Sequence, residues 1–86
     1  MATKVLFICH GNICRSVSAQ YIFQDMVNRR RLTSEFVIDS AATSTEEIGN
    51  AIYPPMKAAL ERRGVPVGTH RARQLKRSDY DAYDLL

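Results

Sequence analysis

The sequence predicts an α/β protein built on a parallel sheet, from a continuous apolar run, a helical apolar spacing and a second apolar run in that order. The first run is Val5 to Cys9, the helical stretch centres on Ile22 and Phe23, and the second run is Phe36 to Ile38. Continuous rather than alternating runs suit strands covered on both faces. A strand, a helix and a strand in succession form a crossover unit, which pairs its strands in parallel with a right-handed connection.

Taken along the chain, Lys4 to Ile8 reads as the first strand, and His10-Gly11-Asn12 as the turn after it. Ala19, Ile22, Phe23, Met26 and Val27 repeat at helical spacing, with Gln20, Gln24 and Asp25 on the opposite side. Arg29 to Arg31 fall where the helix C-terminus favours positive charge. Glu35 to Ser40 reads as the second strand, and Ser40 to Asn50 as a polar loop long enough to shape a binding site. Pro54-Pro55 suits a helix start, Met56, Ala59 and Leu60 share one face, and Gly64-Val65-Pro66 is a stop signal. A last short helix is expected from Ser78, with Ser78 as cap and Asp81 completing a capping box.

Eighty-six residues without a change of composition suggest a single domain, 1–86. The longest apolar run is too short to cross a bilayer, and the N-terminus has no secretory pattern. The expectation is a soluble, cytoplasmic protein with no membrane partner. The net charge of +3 arises from arginine-rich clusters near expected helix ends and turns, where such side chains are simply solvated, so no nucleic-acid partner is expected. Cys9 and Cys14, the only cysteines, are too close to staple a small fold and too few to hold structural zinc alone, which points to a chemical use.

That use follows from where Cys9-His10-Gly11-Asn12-Ile13-Cys14-Arg15-Ser16 lies, between a buried strand and a helix start. Unpaired backbone N–H groups converge there and the helix dipole favours an anion. Gly11 permits backbone conformations that turn N–H groups inward, and Asn12 tolerates positive φ. Cys9 would sit at the floor beside these donors and a guanidinium, which lowers a thiol pKa and populates a thiolate able to attack phosphorus. Arg15 offers a planar fork for two phosphoryl oxygens. Taken alone, a cysteine with an arginine six positions on is a weak pattern, because a cysteine ending a buried strand is commonly a small hydrophobe. His70 by itself reads as a solvated turn histidine, and Ser16 as a helix cap. Gly11, Asn12 and Ser16 each meet a separate requirement of one loop, and that agreement favours the chemical reading.

The stretch Val5 to Ser16, VLFICHGNICRS, resembles the N-terminal signature of low-molecular-weight protein tyrosine phosphatases. Asp39 to Ser44 resembles the family's serine-containing strand end, with Ala42 where glycine is usual. His70 to Leu75 resembles its downstream histidine motif, and Asp81 to Leu86 the lead into its third strand. The resemblance implies a parallel-sheet, three-layer fold that stops here before the third strand. It implies hydrolysis of phosphotyrosine proteins or small aryl phosphates through a phosphocysteine, with no metal or cofactor. Cys9 and Arg15 would be catalytic, and His10, Gly11, Asn12, Ile13, Cys14 and Arg15 would bind the phosphoryl group. Asn12, Ser16, Ser40 and His70 would form a hydrogen-bond network supporting the thiolate, and Cys14 could pair reversibly with Cys9.

Some features depart from the family pattern. Glu46 and Glu47 stand where many bacterial members have Trp-His in the substrate loop, and Tyr53 replaces an acid before Pro54. The family's general acid lies in an Asp-Pro-aromatic loop, and Asp79, Asp81 and Asp84 do not precede proline. The absent loop would impair turnover, and a missing third strand would leave the first strand as an exposed edge open to self-association. Alternatives are a phosphate-binding module without turnover, and arsenate reduction, which needs thiols beyond Cys14. A plain thiol redox protein would leave Arg15 and Gly11-Asn12 without purpose.

Overall fold

The computed structural model describes residues 2–86. Strand β1 (Thr3–Cys9) leads through a loop into helix α1 (Arg15–Arg29), and a single 3-10 turn at Thr33–Glu35 precedes strand β2 (Phe36–Ala42). Helices α2 (Pro54–Arg62) and α3 (Arg77–Ala82) follow. The two strands pair in parallel from Thr3 with Phe36 to Cys9 with Ala42, so the expected α/β crossover unit is present. This register sets the end of β2 beside Cys9, and the loop after β2 continues along the residues that follow Cys9.

Single bridges widen the sheet on both sides, with Gln74 on Ala42 and Leu85 on Val5. Leu6 N–H donates to the Leu85 carbonyl at 2.9 Å, so the free side of β1 is met by the chain at that point. Farther along, Val5 to Ile8 with Tyr80, Leu85 and Leu86 bound a surface cavity of about 440 Å³. The expectation of self-association through this edge gains no support from these contacts.

Helix α1 packs on both strands, and its inner face is the expected one only in part, with Val27 buried and Phe23 turned inward. Ser16, Val17, Ser18 and Val27 are its buried residues, whereas Ile22 and Met26 are each 44% exposed. Its first turn lies under the loop after β1, and the face turned inward there is set by that loop rather than by the largest apolar side chains. Val17 joins Ile52 and Leu60 in the core, with Tyr21, Met56, Val65 and Val67 packed around them. Phe23 stands edge-on to both Phe7 and Phe36, with ring centroids 6.0 and 5.3 Å away, and so fastens the helix to both strands.

Helix α2 begins at Pro54 and ends before Gly64, whose φ of +76° is the left-handed conformation that glycine adopts without strain. The cap of α3 differs from expectation. Lys76, not Ser78, occupies the N-cap, and the Asp79 carboxylate accepts the Lys76 N–H at 2.8 Å. Asp79 is drawn inward by Arg73, and that moves the helix start two residues upstream. No helix among the described residues is long and apolar enough to cross a membrane.

Candidate phosphate-binding site

Strand β1 delivers Cys9 at its C-terminal end, and α1 begins at Arg15, so the residues between them must reverse direction within one short loop. Asn12 makes the turn with φ +60°, as expected. Gly11 does not take positive φ. Its contribution is space, because a Cβ there would stand 3.3 Å from Glu47 Cγ.

The turn aims polar hydrogens at the sulfur. Asn12 N–H and Ser16 N–H reach Cys9 Sγ at 3.3 and 3.4 Å, and Ser16 Oγ lies 3.1 Å from it. Burial alone would raise the thiol pKa, but the Ser16 hydroxyl and the N–H groups of Ser16, Asn12 and Gly11 outweigh it and bring the pKa below the ordinary cysteine value. These donors do the work that had been expected in part of the Arg15 guanidinium. Arg15 itself is exposed and lines the cavity over the sulfur.

That cavity, about 220 Å³, is bounded by the whole stretch from Cys9 to Arg15 together with Glu46 and Glu47. The structure therefore brings together His10, Gly11, Asn12, Ile13, Cys14 and the two loop glutamates around Cys9. A larger cavity of about 540 Å³, bounded in part by Ile52, Lys57 and His70, contains no thiol. The thiols lie on the smaller one.

Beneath the loop, Asn12 is fully buried. Its carboxamide nitrogen donates to Ser16 Oγ at 2.8 Å, and its oxygen accepts the Arg73 N–H at 3.1 Å. The Asn12 carbonyl accepts from His70 Nε2 at 2.7 Å, which assigns the His70 proton to Nε2. Asn12, Ser16 and His70 thus form a network with Cys9. Ser40 does not join it. Ser40 pairs with Phe7 in the ladder, and its hydroxyl donates to Gln20 Oε1 on α1. Gln20, expected on the solvated side, is thereby drawn half inside.

The rim is built by the segment after β2. Thr43 N–H donates to the Cys9 carbonyl at 2.9 Å, and Ser44 donates to the His10 carbonyl from both N–H and hydroxyl, at 3.1 and 3.0 Å. So held, the segment brings Glu46 Oε2 to 3.1 Å from His10 Nε2, with both side chains mostly exposed. Glu47 is steadied by Asn50 Nδ2 at 2.6 Å. Cys9 and Cys14 are both free thiols.

Sequence reasoning missed the pairing of Arg73 with Asp79. The Arg73 guanidinium meets Asp79 through Nη1 at 3.1 Å and Nη2 at 3.4 Å, and Asp39 through Nε at 3.4 Å. Burial pushes the Asp79 carboxyl up, but Arg73 and the Lys76 N–H more than offset this and hold it below the usual aspartate range. The one available signal was that Arg73 lies three residues after His70, inside the histidine motif.

A parallel strand, a loop and a helix that close N–H groups around one thiol define an α/β protein with a loop of polar hydrogens centred on a cysteine. The chain belongs to the low molecular weight phosphotyrosine protein phosphatase family, whose model matches residues 4–86. It is 41% identical to the low molecular weight phosphotyrosine protein phosphatase of Homo sapiens over 86 residues, covering 99% of this chain and 54% of that protein. It is 46% identical over 65 residues to an uncharacterized protein of Synechococcus, covering 76% of this chain and all of that one. Among solved structures, YfkJ from Bacillus subtilis superposes with a TM-score of 0.95 at 35% identity, covering 99% of this chain and 54% of YfkJ. A protein tyrosine phosphatase from Entamoeba histolytica superposes at 0.92 with 30% identity, covering 98% of this chain and 54% of the other. The chain thus spans about half the length of the named phosphatases it matches.

Proposed function

We propose that residues 1–86 supply the phosphate-binding and nucleophile part of a protein tyrosine phosphatase, acting on phosphotyrosine proteins or small aryl phosphates. The observation that carries this reading is the convergence of the Asn12 N–H, the Ser16 N–H and the Ser16 hydroxyl on Cys9 Sγ. Donors so placed stabilise a thiolate and, around it, the oxygens of a phosphoryl group. Human and Entamoeba relatives carry phosphotyrosine or tyrosine phosphatase names, and the latter was solved with Hepes in its active site.

In the proposed reaction the Cys9 thiolate attacks phosphorus, an S–P bond forms, and the ester O–P bond breaks as the phenolate departs with its electron pair. Arg15 binds two phosphoryl oxygens as charge shifts between them. Water then attacks the phosphocysteine, releasing phosphate and restoring the thiolate. The phenolate needs a proton, and none of Asp79, Asp81 or Asp84 lines the cavity. Asp79 is engaged by Arg73, and Asp84 accepts the Lys4 N–H near the opposite end of β1 from Cys9. The acid is therefore assigned to a group other than these three. The same observation favours a second reading, in which the chain binds phosphate without steady turnover.

The site carries further expectations. Glu46 and Glu47 on the rim disfavour acidic phosphopeptides by charge repulsion, and equal turnover of acidic and basic phosphotyrosine peptides would sink that point. Cys14, on the same cavity as Cys9, pairs with it reversibly under mild peroxide; Cys9 sulfonate as the main product would reject the pairing. A reducing compartment such as the cytoplasm suits a thiol of this kind.

The decisive experiment mixes the chain with p-nitrophenyl phosphate at mildly acidic pH, with Cys9→Ser as control. Steady release that disappears with Cys9→Ser supports hydrolysis. A burst of one equivalent or less, with phosphate still bound, supports the second reading. Release unaffected by Cys9→Ser overturns the assignment of the nucleophile.

A further inference from the structure

We propose that Arg73 is a positioning residue for the thiol: held between Asp39 and Asp79, it fixes the backbone N–H that orients Asn12, and through Asn12 and Ser16 it aims a hydroxyl proton at Cys9 Sγ. This rests on the reading of Cys9 as a reactive thiolate.

The direction of the relay follows from hydrogen-bond chemistry. A carboxamide has one accepting and one donating end. The Arg73 N–H, 3.1 Å from Asn12 Oδ1, fixes which end is the oxygen. The nitrogen must then face Ser16 Oγ, at 2.8 Å, and donate to it. Ser16 is the acceptor in that bond; the neutral thiol donates to the same oxygen at 3.1 Å, and once the proton leaves the sulfur the Ser16 hydroxyl hydrogen is the one that can turn to it. Without the Arg73 N–H the carboxamide gains freedom to flip. Oδ1 would then face Ser16 and draw the hydroxyl hydrogen away from Cys9.

The side chain of Arg73 holds that N–H in place. Its backbone carbonyl accepts the Ala42 N–H at 2.7 Å, and Leu75 N–H returns to the Ala42 carbonyl at 2.6 Å, laying the segment along β2. Its guanidinium grips Asp79 of α3 through two nitrogens and Asp39 of β2 through Nε. Asp79 is 3% exposed, and its remaining hydrogen bond goes to the Lys76 N–H. The titratable groups about the guanidinium are Asp39 of β2, Tyr83 at the end of α3 and Asp79 at its start, and Asp79 in turn faces Lys76. Those on the cavity of Cys9 are His10, Cys14, Arg15, Glu46 and Glu47. Arg73 reaches the loop around the thiol through its N–H on Asn12 Oδ1.

The test is the pH profile of Cys9 alkylation by iodoacetamide, followed by fragment mass spectrometry that separates Cys9 from Cys14. It is run on the unaltered chain, Arg73→Ala, Asn12→Gly and the double variant. Glycine at 12 keeps the positive φ and removes only the carboxamide. Each single change should slow alkylation at mildly acidic pH about fivefold, with the profile displaced upward. The double variant should be no slower than Asn12→Gly, because both changes break one chain of bonds. Arg73→Lys should recover part of the rate, and Asp79→Asn should reproduce part of the loss. Circular dichroism establishes that each variant is folded, and if Arg73→Ala is not, Asp79→Asn and Arg73→Lys carry the comparison. A folded set with the unaltered pH profile, or single effects that multiply in the double variant, would overturn the proposal. If Cys9 of the unaltered chain titrates like a free thiol, the reading beneath it fails as well, and that result is read before any variant is made.

Discussion

The floor and the rim of the same cavity are built by opposite means. At the floor, Asn12, Ser16 and Cys9 are bound to one another, and Asn12 is fully buried with every polar end of its side chain engaged. At the rim, Glu46 and His10 form one hydrogen-bonded pair with side chains 71% and 60% exposed. A buried polar group without a partner costs far more than a solvated one, so each floor residue constrains the next. The rim is backed by water, and its residues can change with little effect on the fold. The thiol proposed for bond making thus sits where substitution is costly, and the glutamates proposed for substrate choice where it is cheap.

The strongest attempt to break this contrast is Asn12→Ala. It strands the Arg73 N–H and the Ser16 hydroxyl in a buried site and puts alanine at φ +60°. A loss of about 3 kcal/mol is expected by urea unfolding. A loss below about 1 kcal/mol would mean that water or a neighbour replaces the carboxamide, and the floor would not be as constrained as stated.

Asp79→Asn tests whether the floor extends as far as α3. The Asp79 carboxyl is held below its ordinary range in the folded chain. Its contribution is therefore complete above its unfolded pKa of about 4 and is lost as pH falls through the lower folded value. Thermal unfolding followed from about pH 6 to about pH 2 should show the unaltered chain losing stability in that window. The Asp79→Asn variant should start lower and lose less there. Parallel curves would place the acid-sensitive group elsewhere.

Ser16→Ala sharpens the comparison within the floor. It removes the hydroxyl from Cys9 but leaves the Ser16 and Asn12 N–H groups, so the thiol pKa rises part of the way back toward an ordinary cysteine. The stability loss is expected at about 1 kcal/mol, and the alkylation profile should move to higher pH. An unmoved profile would assign the thiolate to the backbone donors alone.

The smallest effect is expected at the rim. His10→Ala breaks an exposed pair and should change stability by no more than about 0.5 kcal/mol in thermal unfolding. A loss comparable with that of Asn12→Ala would erase the distinction between floor and rim.

The same division governs what could be read from the residues. Cys9, Asn12 and Ser16 were legible because a tight loop between a strand and a helix demands specific residue types at specific places. The α/β crossover was legible because its apolar runs are long and of one kind. The inner face of α1 was legible only in part: of the residues chosen by helical periodicity Phe23 and Val27 face inward, whereas Ile22 and Met26 are exposed and Val17 is buried instead. Ser40 carried the right resemblance and found a different partner in Gln20, because a serine hydroxyl bonds whichever acceptor the sheet brings within reach.

By itself, the sequence determined the local steps: strand to loop to helix, the positive φ at Asn12, the proline start and glycine stop of α2, and a cysteine facing a helix N-terminus. These depend on neighbours in the chain, whose conformational limits are properties of the residues themselves. Only the tertiary structure decided that Arg73 grips Asp79 and Asp39, that its N–H holds Asn12, that Lys76 caps α3, and that Glu46 reaches His10. Those contacts join residues distant in sequence, and an arginine or a glutamate has many possible partners until packing places one of them within about 3 Å.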